Sequence, residues 1–263
     1  MKTLSIITIN KNNASGLEKT IQSVLCQTSN DFEYIIIDGA STDRSVELIK
    51  NHVDRINYWV SETDTGIYNA MNKGIKKAQG EYCLFLNSGD IFISPETLEN
   101  VFKEINGNPA DIFYSNKVKS NKSIAIFPKN LNNFLLHGKI NHQNTFIKSS
   151  LFHEHGFYNE NLKLVSDWEF FLKELYIYKS TFCHINTNIS LYDNHGISVQ
   201  NQELHNYENT IAIKNVFQDL SSTIIEYSNF RNTIFFDIHK NYNTNFINYI
   251  LKIYRKILLL IIK

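Results

Sequence analysis

Through the first hundred positions the chain alternates short, dense hydrophobic runs with stripes at helical spacing. Residues 4–9 are a β-branched run whose composition predicts a buried strand. Leu17, Ile21, Val24 and Leu25 follow at helical spacing. FEYIIID, residues 32–38, predicts a second buried strand that ends on a carboxylate. Val46, Ile49 and Val53 mark the next helix, with Ser41, Thr42 or Asp43 placed to cap it. Residues 56–60 predict a third strand. Ile67, Ala70, Met71, Ile75 and Ala78 form the clearest helical stripe, and residues 82–86 a fourth strand. Strand alternating with helix predicts an α/β fold with a mostly parallel central sheet and helices on both faces. Ligands of such sheets bind beyond the carboxyl ends of the strands. The residues to read are therefore Asn10, Asp38, Asp64 and the turn Asn87-Ser88-Gly89-Asp90.

Past Pro95 the pattern predicts a helix to about residue 105 and a strand over 111–115. Residues 117–147 are less regular, with β-type runs near 124–127 and 145–147. Trp168, Phe171, Leu172 and Leu175 make an amphipathic helix starting close to Asp167. Strand-like segments around 181–192 precede a helix over 202–217.

The last stretch, 245–263, has a different character. On a helix turning roughly 100° per residue, Asn245, Asn248, Lys252, Arg255, Lys256 and Lys263 share one face, with Leu259 the only apolar intruder. Its longest charge-free piece, 257–262, is far short of the ~20 apolar residues of a membrane span. A wide apolar face with a narrow cationic stripe suits a helix lying in a membrane interface. Docking on the protein body or on a second subunit is the alternative. The expected organisation is a catalytic domain over 1–220, with halves 1–95 and 96–220, and a helical tail over 221–263.

Composition narrows the class. With 263 residues, 43% hydrophobic and 20% charged, the chain is a soluble globular type with a sizeable core. Lys+Arg and Asp+Glu both number 26, so no cationic excess supports general nucleic-acid binding. Cys26, Cys83 and Cys183 are odd in number and scattered in apolar contexts, which predicts free thiols. The N-terminus lacks the apolar core and cleavage site of a secretory signal, so a cytoplasmic location is expected.

The chemistry follows from the strand ends. No G-x-G-x-x-G follows the first strand, and no G-x-x-x-x-G-K-[ST] occurs, which removes the two commonest phosphate-loop readings. Carboxylates at strand ends can accept hydrogen bonds from a base imide or from ribose hydroxyls. A carboxylate with an amide oxygen can hold one Mg²⁺ or Mn²⁺ whose shell is completed by water and phosphate. That set describes a nucleoside diphosphate on a metal.

SIITINKNNASGLEKTIQSVLCQT, EYIIIDGASTD and SETDTGIYNAMNKGIKKAQGEYCLFLNSGD, in this order, resemble the GT-A glycosyltransferases of family 2. The likeness is closest to bacterial members that build capsules, lipopolysaccharide O-antigens and other exopolysaccharides. It covers residues 3–95 and continues more weakly through INHQNTFIKSSLF, SDWEFFLK and NHGIS. The resemblance implies the GT-A fold and a set of roles. Thr8 and Asn10 would line the base pocket, Asp38 would contact the uracil of a UDP-sugar, and Asp64, with Gly66 beyond it, would reach the nucleotide. Asn72 and Gly74 match the family's Ala-Arg-Asn-x-Gly element, with Met71 where that element often has arginine. Asn87-Ser88-Gly89-Asp90 falls on the Asp-x-Asp position, with Asp90 as ligand to Mn²⁺ or Mg²⁺ and Asn87 beside it; His195, before Gly196, is separately a candidate third ligand. Asp167 falls where the family has its catalytic base. His142, Gln143 and Trp168 are candidates for facing donor or acceptor.

The implied reaction is a single inverting displacement from a nucleotide-sugar donor, UDP-linked by preference, to a glycan or lipid-linked acceptor. Its place would be bacterial surface polysaccharide synthesis at the cytoplasmic face of the inner membrane. Each residue also has a plainer reading. Asp38 can be a turn former before Gly39, and Asp64 a helix cap. Asn72 can be an exposed helix residue. Asp167 or Ser166 can be a cap, and Glu169 is a rival base. A catalytically silent nucleotide-sugar-binding scaffold is the alternative function. A sugar nucleotidylyltransferase would need a glycine-rich loop with arginine after the first strand, where residues 10–13 supply none.

Overall fold

A computed structural model describes residues 3–119, 124–127, 140–192, 201–222 and 224–226. His195 and the tail segment 245–263 lie outside these residues. The chain divides into two compact units, Met1–His205 and Asn206–Lys263.

In the first unit, β1 (Leu4–Asn10), β2 (Phe32–Asp38), β3 (Tyr58–Ser61) and β4 (Tyr82–Phe85) run parallel in the spatial order β3-β2-β1-β4. Beyond β4 the sheet continues through β9 (Thr145–Lys148), β6 (Ile112–Tyr114) and β10 (Phe182–His184). β9 is antiparallel to both its neighbours, and β10 is parallel to β6. One reversed strand therefore interrupts a seven-stranded, mostly parallel sheet. A smaller sheet joins β5 (Ile91–Phe92), β11 (Ser190–Tyr192), β7 (Lys117–Lys119) and β8 (Ile124–Ala125).

The fully buried strands explain the dense hydrophobic runs. Leu4, Ile6, Ile7, Ile35, Ile36 and Ile37 are all buried, because both faces of the sheet are covered. Side chains alternate along a strand. On one face Leu4, Ile6, Tyr34 and Ile36 share a core with Leu17, Ile21 and Val24 of α1 (Ala14–Leu25). α2 (Ser45–Asn51) packs beside α1. On the other face α3 (Ile67–Ile75) lies across β1 and β2. Its approach is so close that a Cβ on Gly74 would stand 2.4 Å from Ile7 Cγ2.

α4 (Thr97–Ile105), α5 (Ser149–His155), α6 (Ser166–Lys173) and α7 (Gln202–Phe217) follow. α6 runs on into a π-helical turn, Glu174–Tyr178. The third strand starts two residues later than the hydrophobic pattern predicts. Just before it, Asn57 donates its amide to Tyr34 O (2.9 Å) and accepts the Tyr34 amide with its side-chain oxygen (2.9 Å).

Candidate active site

The register sets the strand ends in one row. Asn10 pairs with Asp38 across β1 and β2, and Asp38 with Ser61 across β2 and β3. Past the end of β4 the ladder continues, because Leu86 donates its amide to Ile7 and Ser88 to Ile9. The four sequence-predicted positions thus meet at one edge of the sheet.

Asp38 is completely buried. Oδ1 accepts from Asn10 Nδ2 (2.7 Å) and Ser41 Oγ (2.6 Å), and Oδ2 from the Ser41 amide (2.9 Å) and Ser61 Oγ (2.6 Å). Four donors compensate a buried carboxylate that has no ion-pair partner among the described residues. In this arrangement Asp38 organises the turn after β2 and holds Asn10. Thr8 is also buried, bonded to Leu86 O (2.8 Å) and 3.1 Å from Tyr34 Oη.

Asp64 is the half-buried carboxylate of this edge. Oδ1 accepts the Gly66 amide (3.1 Å). Oδ2 lies over Gly39, where a Cβ would come within 2.3 Å of it. Gly39 is thus the space that the Asp64 carboxylate fills. Gly66 has φ 150° and leads into α3, a conformation that favours glycine.

The turn after β4 is tightly held. Ser88 Oγ donates to Asn13 O (3.2 Å), and Asn13 Nδ2 donates to Ser88 O (3.1 Å). Thr20 Oγ1 donates to Asp90 O (2.8 Å). Gly89 has φ 106°, which side chains rarely adopt, so the backbone itself disfavours a carboxylate there. Among the described residues no group of three or more His, Cys, Asp or Glu could hold a metal. The turn does offer hard oxygens. Asn87 Oδ1 is buried with no hydrogen-bond partner among the described residues, and the Asp90 side chain is close by in sequence and 5% exposed. Oxygens of this type are the ones Mg²⁺ and Mn²⁺ prefer.

Asp167 stands in the first turn of α6. Oδ1 accepts from Tyr68 Oη (2.8 Å) and from the Trp168 amide (3.0 Å). Oδ2 is 2.8 Å from His142 Nδ1, and His142 Nε2 is 3.1 Å from Asn87 Nδ2. A chain of side-chain contacts thus links the predicted base to the turn after β4. Burial, and then the negative charge of Asp167, push the Tyr68 hydroxyl well above the usual phenol range. The same two causes act on Tyr158, whose ring is 5.5 Å from that of Tyr68.

Asn72 does not reach the strand-end row. It is buried, not exposed, and fastens α3 to the segment before α6. Nδ2 donates to Tyr158 O and Glu160 Oε1 (both 2.9 Å), and Oδ1 accepts the Tyr158 amide (3.0 Å). Gln143 and Trp168 are buried at 5% and 7% exposure. Glu169, the rival base, is 1% exposed with Lys173 at 3.5 Å, one turn along α6.

Sequence reading missed Tyr68, Ser41 and Ser61. A signal existed for Tyr68, because positions 68, 71 and 75 share the buried face of α3 and a buried tyrosine hydroxyl needs a partner.

The fold is that of the GT-A class. The glycosyl transferase family 2 model matches residues 5–163, and the chain belongs to that family. An uncharacterized glycosyltransferase of Mycobacterium tuberculosis is 34% identical over 179 residues, covering 65% of this chain and 68% of that one. A PGL/p-HBAD biosynthesis glycosyltransferase of Mycobacterium bovis is 31% identical over 173 residues, covering 63% and 67%. Among solved structures, S. aureus TarS 1–349 in complex with UDP-GlcNAc superposes with a TM-score of 0.68 at 16% identity, covering 93% of this chain and 77% of that one. The mannosyltransferase PcManGT from Pyrobaculum calidifontis, in complex with GDP-Man and Mn²⁺, gives 0.57 at 16% identity, covering 84% and 64%. At these identities the structural likeness speaks for the fold.

Proposed function

We propose that the protein transfers a sugar from a UDP-sugar to a hydroxyl of a glycan or lipid-linked acceptor, with inversion, in bacterial surface polysaccharide synthesis. The observation that carries this reading is the placement of Asp167. Its carboxylate is held at the sheet edge, in hydrogen-bond connection with the turn after β4. In this reading Asp64 accepts the base imide or a ribose hydroxyl of the donor, and Asn10 and Thr8 shape the floor beneath it. Asp167 takes the proton of the acceptor hydroxyl as that oxygen attacks the anomeric carbon and the bond to the diphosphate breaks. Asn87 and Asp90 would hold a divalent Mg²⁺ or Mn²⁺, which when bound neutralises charge on the diphosphate. Solved GT-A neighbours bind UDP, UDP-GlcNAc or GDP-Man, which supports a nucleotide-sugar donor.

No helix among the described residues is long and apolar enough to cross a membrane. Residues 245–263 are proposed to lie on the cytoplasmic face of the inner membrane, where a lipid-linked acceptor would be found. UDP release from a panel of UDP-sugars, with and without Mn²⁺, tests the reading. Turnover with one donor supports it. Binding of UDP with no turnover across donors and acceptors would favour the silent scaffold.

A further inference from the structure

The proposed base is held from two sides. Tyr68 comes from α3, His142 from the 3₁₀ turn His142–Asn144, Asp167 from α6 and Asn87 from the turn after β4. Four segments distant in sequence converge on one string of side chains, spaced 2.8, 2.8 and 3.1 Å.

The direction of each bond follows from the groups. An ionised carboxylate only accepts, so the ring proton sits on Nδ1 facing Asp167 Oδ2, and Nε2 accepts from the Asn87 amide. That proton is donated to Asp167 Oδ2, while Tyr68 donates to Oδ1. The imidazole's one acceptor nitrogen thereby faces the Asn87 amide.

The geometry points to Tyr68 and His142 as positioning residues that clamp the two oxygens of Asp167, with Asn87 anchoring the clamp in the donor-facing turn. This rests on the reading of Asp167 as base. Packing fixes both arms. The Tyr68 ring meets Tyr158 at 5.5 Å, and the His142 ring stands edge-on to Phe85 at 6.2 Å. Tyr68 is 4% exposed and the His142 side chain 14%, so neither has solvent room to turn away. An aspartate turns freely about two bonds, and a donor on each oxygen removes that freedom before the acceptor arrives. Preorganisation of this kind lowers the barrier without adding a contact to the donor.

The test uses the full chain, UDP as binding probe and the panel of UDP-sugars as donors. Tyr68→Phe and His142→Ala should each lower kcat about ten- to a hundredfold while UDP affinity stays within about twofold. His142→Asn can set an amide N–H near the Nδ1 position and should recover most of the loss, which a general acid–base role would not allow. Nitrogen-15 NMR of labelled imidazoles, independent of turnover, should show His142 in the Nδ1–H tautomer. An Nε2–H tautomer, an unchanged kcat in Tyr68→Phe, or no recovery in His142→Asn would overturn the clamp. Full activity in Asp167→Asn would instead refute the base assignment on which it rests. If no UDP-sugar turns over, the tautomer decides alone.

Discussion

Asp38 ends β2 with both oxygens engaged by four donors, and that engagement separates two roles that its sequence position leaves joined. A carboxylate at a strand end reads equally as ligand contact or as turn anchor, and only the partners on neighbouring strands decide. Ser61 lies on a different strand and Ser41 beyond the turn, so no local pattern shows them. Removing the carboxylate in Asp38→Ala strands buried donors, each costing about 1–3 kcal/mol. Urea denaturation should show a loss of at least about 3 kcal/mol for that variant. Gly39 makes a sharper case. A Cβ in Gly39→Ala would fall 2.3 Å from Asp64 Oδ2 and must displace that carboxylate. Calorimetry should find UDP binding weakened in Gly39→Ala and in Asp64→Ala. The double variant should be no weaker than the worse single one, because both remove the same contact. Additive losses would separate Gly39 from Asp64.

At the scale of elements, periodicity was enough for the four parallel strands and for α1 and α3, because both faces of the sheet are covered and the runs are unbroken. It failed at the start of β3, where Asn57 holds Tyr34 through its side chain as well as its backbone, and where an element is too short for a period, as in α5. The antiparallel insertion of β9 was not readable, since strand direction depends on partners far along the chain. The Asp-x-Asp match gave the place of the β4 turn, but not its backbone, which turns through Gly89 at φ 106°. Gly74 tests how the layers fit. Its Cβ would meet Ile7 at 2.4 Å, so Gly74→Ala should cost about 1–3 kcal/mol by overpacking. Thermal unfolding would reveal this, and a neutral result would mean that α3 can shift away from β1.

For the molecule as a whole, the three cysteines report on packing. Burial pushes the Cys83 thiol up to about 12, whereas Cys26 is exposed. Below that pH the Cys83 thiol stays protonated and shielded, so native protein at pH 8 should be alkylated at Cys26 while Cys83 resists until denaturant is added. Equal rates at both would contradict the buried sheet. Family and fold were legible in the sequence, because the motifs recur in order along one chain. The clamp was not, since Tyr68, His142 and Asn87 are brought together only by folding. Removal of residues 245–263 should shift the protein from membrane to soluble fractions, and unchanged recovery would give the tail another task. The most direct test of the central claim is UDP release by Asp167→Asn. The account predicts a fall in kcat of about a hundredfold or more with UDP affinity unchanged, and near-normal transfer would contradict it.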